Sequence, residues 1–241
     1  MRSIIILCWI LATACAAAAQ PACTSQTAAG LTCSCDVRLL RPLQGAIGLD
    51  EVREKVGKIA AKPKKAWKDL ETDPIKVVQG PGGALFITDH HHGANAWRLA
   101  GRPMALCQVA ARPPFTTEAA FWQGLADDRL VRLSDVDGKP LTPEHLPASL
   151  ERMPDDPYRS LAWRLRKAGG FCRSEMEQKE FAEFIWADWM RTQPALPAAQ
   201  VRASSATMVD VAQRLSRSPA ASALPGYVGD KPPSFKCGKD D

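Results

Sequence analysis

The chain has 241 residues, 46% hydrophobic and 24% charged, with a formal net charge of +5 at neutral pH. This excludes a disordered or low-complexity chain and leaves room for one domain with a real core. The mildly basic balance admits an anionic ligand without requiring nucleic acid.

A basic start, Met1-Arg2-Ser3, precedes a short apolar run from Ile4 to Leu11 and an alanine-rich exit. Residues 1–19 therefore read as a secretory signal cut after Ala19, with lipid attachment at Cys15 as the alternative. The run is too short for a membrane span, and no later stretch has that length. Loss of Arg2 takes the formal charge from +5 to +4. The remaining chain is expected in the periplasm or outside the cell. It keeps Cys23, Cys33, Cys35, Cys107, Cys172 and Cys237. An even number in an exported chain reads as structural disulfides, for which six cysteines allow fifteen pairings. Cys33-Ser34-Cys35 has the wrong spacing for a zinc site, and each of its cysteines is expected to reach a distant partner.

Residues 20–35 read as a loosely held lead-in, and 36–42 as a short extended segment that Pro42 ends. Leu49, Val52, Val56 and Ile59 recur at i, i+3, i+7 and i+10, one apolar helix face. Glu51, Arg53, Glu54 and Lys55 fall outside that face, and Lys58 sits near the helix end, where a cation suits the dipole. The basic cluster 62–68 reads as a solvated face. Residues 74–78 and 84–88 form a hairpin candidate around the turn 79–83. A helix over 93–100 and a strand over 104–110 follow. Thr116-Thr117-Glu118 opens another helix. Asp156 is a helix cap with Pro157 in the first position, and that helix is expected to run to Lys167 and stop at Gly169-Gly170. Ser174-Glu175-Met176-Glu177 has capping-box spacing and is expected to start a helix through Arg191. Residues 201–215 read as a last helix and 228–241 as tail. There is no internal repeat and no clear linker.

The chemistry gathers at Asp89-His90-His91-His92-Gly93, which holds three of the four histidines. A strand ending at a helix start is a natural anion site, because the first-turn amides lack intrahelical partners and the dipole adds positive charge. Adjacent side chains diverge, so at most two imidazoles converge on one ligand. Asp155 and Asp156 could hold a divalent cation such as Mg²⁺ or Mn²⁺, with Arg159 gripping phosphate, although an ordinary helix cap explains the same residues. Glu180, Glu183 and Asp188 are candidates of lower weight. Trp186 and Trp189 read as core.

Several segments together resemble the ParB-like nuclease family: Leu40-Arg41-Pro42-Leu43-Gln44 with Gly48, then Asp89 to Ala96, then Asp155 to Ala162, Glu183 to Asp188, and Leu224-Pro225-Gly226-Tyr227. The resemblance spans residues 36–227. It implies an α/β (α+β) fold, a small mixed sheet of the ParB/sulfiredoxin kind over 36–112 with a helical half over 113–227. It also implies that the strand-to-helix turn holds phosphate or nucleotide groups. ParB proteins typically show Gly-Glu-Arg-Arg there and sulfiredoxins Gly-Cys-His-Arg. This chain has Asp89-His90-His91-His92, so it lacks the cysteine of sulfinic-acid repair. No helix-turn-helix is apparent, and an export signal departs from chromosome segregation.

The expected function is phosphate-ester hydrolysis or transfer. Asp89, His90, His91, His92 and Asp156 are the candidate catalytic groups. Arg159, Gly93, Arg41, Gln44 and Lys58 are the candidate phosphate contacts, and Asp155 and Asp156 the candidate cation ligands. A non-catalytic anion- or nucleotide-binding protein is the alternative, and a secreted nuclease-type toxin the third reading.

Overall fold

The computed structural model describes residues 20–110, 117–173, 181–229, 231, 232, 235 and 237. The signal segment with Cys15, the capping box at 174–177 and Glu180 lie outside the described residues.

Five strands form one mixed sheet: β1 (Thr32–Asp36), β2 (Arg41–Pro42), β3 (Ile75–Gln79), β4 (Leu85–Asp89) and β5 (Met104–Val109), in the order β1-β5-β3-β4-β2. The expected hairpin is present, with Val78 opposite Phe86 and Gln79 opposite Leu85 in antiparallel register. β5 runs parallel to β3 and antiparallel to β1.

Alternate residues of a strand face opposite layers, and Val77 and Val78 show both. Val77 packs with Val52 and Ile59 of α1 (Leu49–Ala61) and with Ala94 and Trp97 of α3 (His91–Leu99). Val78 packs instead with Leu43, Phe86, and Phe121 and Leu125 of α4 (Glu118–Asp127). Between α1 and the hairpin lies α2 (Pro63–Thr72), so the basic cluster 62–68 belongs to a helix that starts on Pro63. The second half is helical: α5 (Pro157–Lys167), α6 (Ala182–Arg191), α7 (Ala198–Ala203) and α8 (Val209–Ser216) enclose a core of Leu161, Leu165, Phe171, Trp186 and Met190.

Four expectations need correction. The lead-in is no free tail, since β1 begins at Thr32, Ala22 bridges Ser34, and Cys23 is disulfide-bonded to Cys33. Cys33 thus has a near partner, whereas Cys35 reaches Cys107 and Cys172 reaches Cys237. The last helix is broken, because Ser204 is extended and Ser205–Met208 form a 3-10 turn between α7 and α8. The helix expected to run through Arg191 is interrupted at Phe181, which sits in the left-handed region with φ 60°, and α6 spans Ala182–Arg191.

The two halves are welded at Ile47–Asp50. Ile47 exchanges backbone hydrogen bonds with Pro154 and Asp156, Asp155 Oδ1 accepts from Leu49 N, and Ser160 Oγ accepts from Asp50 N. Side chains from the second half thereby cap α1, for which Gly48 offers no side chain. Gly48 has another role: a Cβ there would meet Ser160 N at 2.8 Å and the Arg159 carbonyl carbon at 3.0 Å. Gly48→Ala is therefore expected to cost about 1–3 kcal/mol by pushing α1 off α5. Urea unfolding measures this, and a change within 0.5 kcal/mol, roughly the effect of a neutral surface substitution, would contradict it.

Candidate functional site

A cavity of about 690 Å³ lies where α3 begins, between α1, α5 and the start of α6. Asp89, His90, His91, His92, Gly93, Gln44, Arg159 and Glu183 line it, so much of the sequence-based set does meet in space. So do Glu51, Lys55, Lys76, Arg129, Arg166, Arg173, Phe181 and Phe184, which the sequence did not single out.

The backbone around it is unusual. Among the described residues, three that are not glycine have positive φ, namely His90 at 71°, Arg129 at 54° and Phe181 at 60°, and all three line this cavity. Such conformations cost about 1–3 kcal/mol each and gather where surroundings over-determine a functional geometry. At His90 the turn brings β4 directly into α3. No side chain caps α3, and Ala94 N is its first amide bonded within the helix, to His90 O, which leaves the amides of His91, His92 and Gly93 ahead of the first intrahelical bond.

The three imidazoles have different surroundings. His91 is buried, and its Nε2 accepts from Leu43 N at 3.1 Å, which puts its proton on Nδ1. Burial, followed by the charges of His92, His90 and Arg159, lowers its pKa from 6.5 to about 3. His91 is thus a neutral strut between α3 and the β2 segment. His90 sits beside Asp73, 3.2 Å from Nε2 to Oδ2. His92 turns Nδ1 toward Glu51 Oε2 at 3.6 Å. Burial lowers the His92 pKa, Glu51 opposes this and Arg159 adds to it, for a net value below 6.5.

Opposite the histidines, Arg159 Nη1 lies 3.4 Å from Glu183 Oε2, and Arg166 Nε lies 2.9 Å from Glu183 Oε1. Burial alone would raise the Glu183 pKa, but Arg159, Arg166 and Arg173 overcome it and hold the carboxyl at about 2. Arg159 also lies over the Phe184 ring, 4.0 Å from its centroid, and its Nε has no partner.

The other expected site residues lie elsewhere. Arg41 faces a separate cleft of about 630 Å³ with Phe86 and Trp122. Lys58 pairs with Glu54 at 2.6 Å on the exposed face of α1. Asp155 caps α1 through Leu49 N. Asp156 caps α5, accepting from Tyr158 N at 2.9 Å, and pairs with Arg191. Asp155 and Asp156 thus serve two different helix starts. Among the described residues, the group of metal-ligand type with atoms within 4.8 Å of one another is Cys23, Cys35 and Cys107, all disulfide-bonded.

Periodicity placed Glu51 and Lys55 on the outward face of α1, and that helix alone gives no sign that α5 and α6 roof them. The signal available was their own i, i+4 spacing, which the structure shows as an ion pair at 3.4 Å.

His91 gives a pH prediction. The unfolded chain takes up this proton near pH 6.5 and the folded chain only near pH 3, so stability is complete above pH 6.5 and falls on acidification through that window. The slope approaches about 1.4 kcal/mol per pH unit. Between pH 6.5 and 5, above the ordinary carboxylate range, urea unfolding should show this loss in the wild type and a shallower loss in His91→Gln. Equal slopes would contradict a neutral buried His91.

An uncapped helix start opens from a strained strand-to-helix turn into a basic cavity, within an α/β domain built on a mixed five-stranded sheet. The chain belongs to the family described as "Putative ParB-like nuclease", whose family model matches residues 33–192. Among solved structures it is similar to protein Atu1540 from Agrobacterium tumefaciens, with 28% identity and a TM-score of 0.70 over 83% of this chain and 98% of that one. It also aligns with the C-terminally truncated chromosome-partitioning protein ParB from Caulobacter crescentus complexed with CTP-gamma-S. That match has 13% identity and a TM-score of 0.29 over 77% of this chain and 99% of that one, too distant to compare residues. No curated protein matches the chain.

Proposed function

We propose that this chain is an exported, nuclease-like phosphoesterase whose reaction centre is the cavity at the start of α3. The observation that carries the reading is the meeting, in one cavity, of an uncapped helix N-terminus, the His92 imidazole backed by Glu51, and the buried guanidinium of Arg159. Hydrolysis of a phosphate ester needs a base for water, positive charge for the developing oxyanion and a proton for the leaving oxygen. With Nδ1 facing Glu51, His92 keeps Nε2 as the acceptor and serves as the base. Arg159, Arg166 and the amides of His92 and Gly93 hold the phosphate. His90, beside Asp73, is the imidazole able to return a proton to the leaving oxygen.

Three disulfides among the described residues fit an oxidising compartment, which supports export. Periplasmic fractionation with a retained or deleted 1–19 segment tests that part.

The catalytic part is tested by assaying the mature protein against nucleotides, single- and double-stranded nucleic acid and simple phosphate esters, with and without Mg²⁺ or Mn²⁺. Turnover lost in His92→Ala supports it, and equal turnover in the variant defeats it. One feature favours a second reading, anion binding without turnover: Glu183 already neutralises Arg159 and Arg166. A ligand-induced rise in melting temperature with no product at any pH would select it.

A further inference from the structure

The polar groups of the cavity are unequally used. Its carboxylates are engaged: Glu51 with His92 and Lys55, Glu183 with Arg159 and Arg166, and Asp89 with the His90 amide. Gln108 Oε1 accepts from Lys76 Nζ at 2.9 Å. Among the described residues that line the cavity, the buried side-chain acceptor left without a partner is Gln44 Oε1. Arg159 is 4% exposed, and its Nε is a buried donor left unpartnered in the same cavity. A buried carbonyl without a donor costs roughly 1–3 kcal/mol and so calls for an explanation.

Gln44 is also held firmly. On one side Leu43 N donates to buried His91 Nε2, and Leu43 O accepts from Arg132 N at 2.8 Å. On the other, Gly45 packs so closely that a Cβ would meet Ser134 O at 2.1 Å. The backbone that carries Gln44 is therefore fixed on both sides, and His91 acts on the site by fixing it. An acceptor carried on a fixed backbone is of no use to bare phosphate at neutral pH, whose oxygens mostly accept. It suits a ligand that brings its own donor.

We infer that Gln44 is the specificity-determining residue of this cavity: its Oε1 accepts a hydrogen bond from a hydroxyl or amino group of the phosphate ester whose anionic end meets Arg159. This rests on the phosphate-binding reading above and adds the requirement that the ester carry a donor near its phosphate. Sugar phosphates supply a hydroxyl, and nucleoside monophosphates add the amino and imino groups of the base. Both satisfy the same acceptor.

Isothermal titration separates these, with inorganic phosphate, methyl phosphate, ribose 5-phosphate and the four nucleoside 5′-monophosphates as probes. The wild type should prefer ribose 5-phosphate or a nucleotide to methyl phosphate by about tenfold, the effect of one well-placed hydrogen bond. Gln44→Met should abolish that preference, lowering the affinity for ribose 5-phosphate or the nucleotide about tenfold more than that for methyl phosphate. Gln44→Glu keeps the acceptor and should keep the ratio, even though its charge weakens every anion. Preference shown by ribose 5-phosphate assigns the donor to the sugar, and preference shown only by particular nucleotides assigns it to the base. Without ligand, Gln44→Met should melt at or above the wild-type temperature, since it removes an unsatisfied acceptor.

Equal loss for all probes in Gln44→Met would make Gln44 an anion donor and overturn the inference. A marked fall in the ligand-free melting temperature would also overturn it, by revealing a structural partner. If the wild type binds inorganic phosphate but shows no preference, this inference fails and the phosphate reading stands. If no probe binds, both fail.

Discussion

His92→Ala is expected to lower kcat/KM for phosphate-ester hydrolysis by about 10²- to 10⁴-fold, the range over which a positioned general base contributes. The loss should fall mainly on kcat, because Arg159, Arg166 and the α3 amides still hold the phosphate. The pH profile is the more specific readout. A general base must be deprotonated, and burial with Arg159 lowers the His92 pKa against the pull of Glu51. The acid limb of kcat/KM should therefore lie below pH 6.5, the ordinary imidazole value. Glu51→Gln removes the carboxylate that faces Nδ1 and should move the limb further toward acid while lowering the rate. His91→Gln should leave the position of the limb unchanged, because that imidazole spends Nε2 on Leu43 N. A limb that stays put in Glu51→Gln and shifts in His91→Gln would reverse the assignment of base and strut.

Arg159→Met is expected to abolish phosphate binding and to lower stability by about 3–5 kcal/mol, the usual cost of breaking one side of a buried ion pair. Arg159 is almost wholly buried, with Glu183 at 3.4 Å and the Phe184 ring against its guanidinium. Among the charges that keep Glu183 ionised, Arg159 has the largest effect, so its removal should raise the Glu183 pKa from about 2 and bring acid unfolding to higher pH. Arg166 remains on the other carboxylate oxygen at 2.9 Å, which argues for the lower end of that range. Adding Glu183→Gln should restore much of the stability and none of the phosphate binding, so a double-mutant cycle separates the two roles of the guanidinium. Phosphate affinity that survives in Arg159→Met would place the anion elsewhere.

Local rules carried much of the fold. The period of Leu49, Val52, Val56 and Ile59 marked α1, the two strands around Gly80-Pro81-Gly82-Gly83 marked the hairpin, and Asp156 with Pro157 marked the start of α5. The strand Thr32–Asp36 was missed, because residues 20–35 read as a loose lead-in and the pairing of its cysteines depends on tertiary neighbours. The break between α7 and α8 was not legible, because its partners are distant: Ser205 Oγ meets Asp50 and Arg164.

The site divides in the same way. Three adjacent histidines at a strand-to-helix turn stood out by composition, and Arg159 stood out one turn into a capped helix. Their division of labour did not, since one imidazole faces a backbone amide and the next a carboxylate, according to which neighbour each meets. Asp155 and Asp156 were read as a pair because they are adjacent in the chain. In the fold they face two different helix starts. Glu51 was hidden because its burial is supplied by the second half of the molecule, which the period of α1 does not register.

Soaking crystals of the mature protein in tungstate, a heavy analogue of phosphate, and locating the metal by anomalous scattering would test the central claim most directly. The account predicts a single strong site at the start of α3, within hydrogen-bond reach of the His92 or Gly93 amide and of Arg159. Tungstate bound only in the Arg41 cleft, or only along the exposed lysines of α2, with the α3 cavity empty, would contradict it.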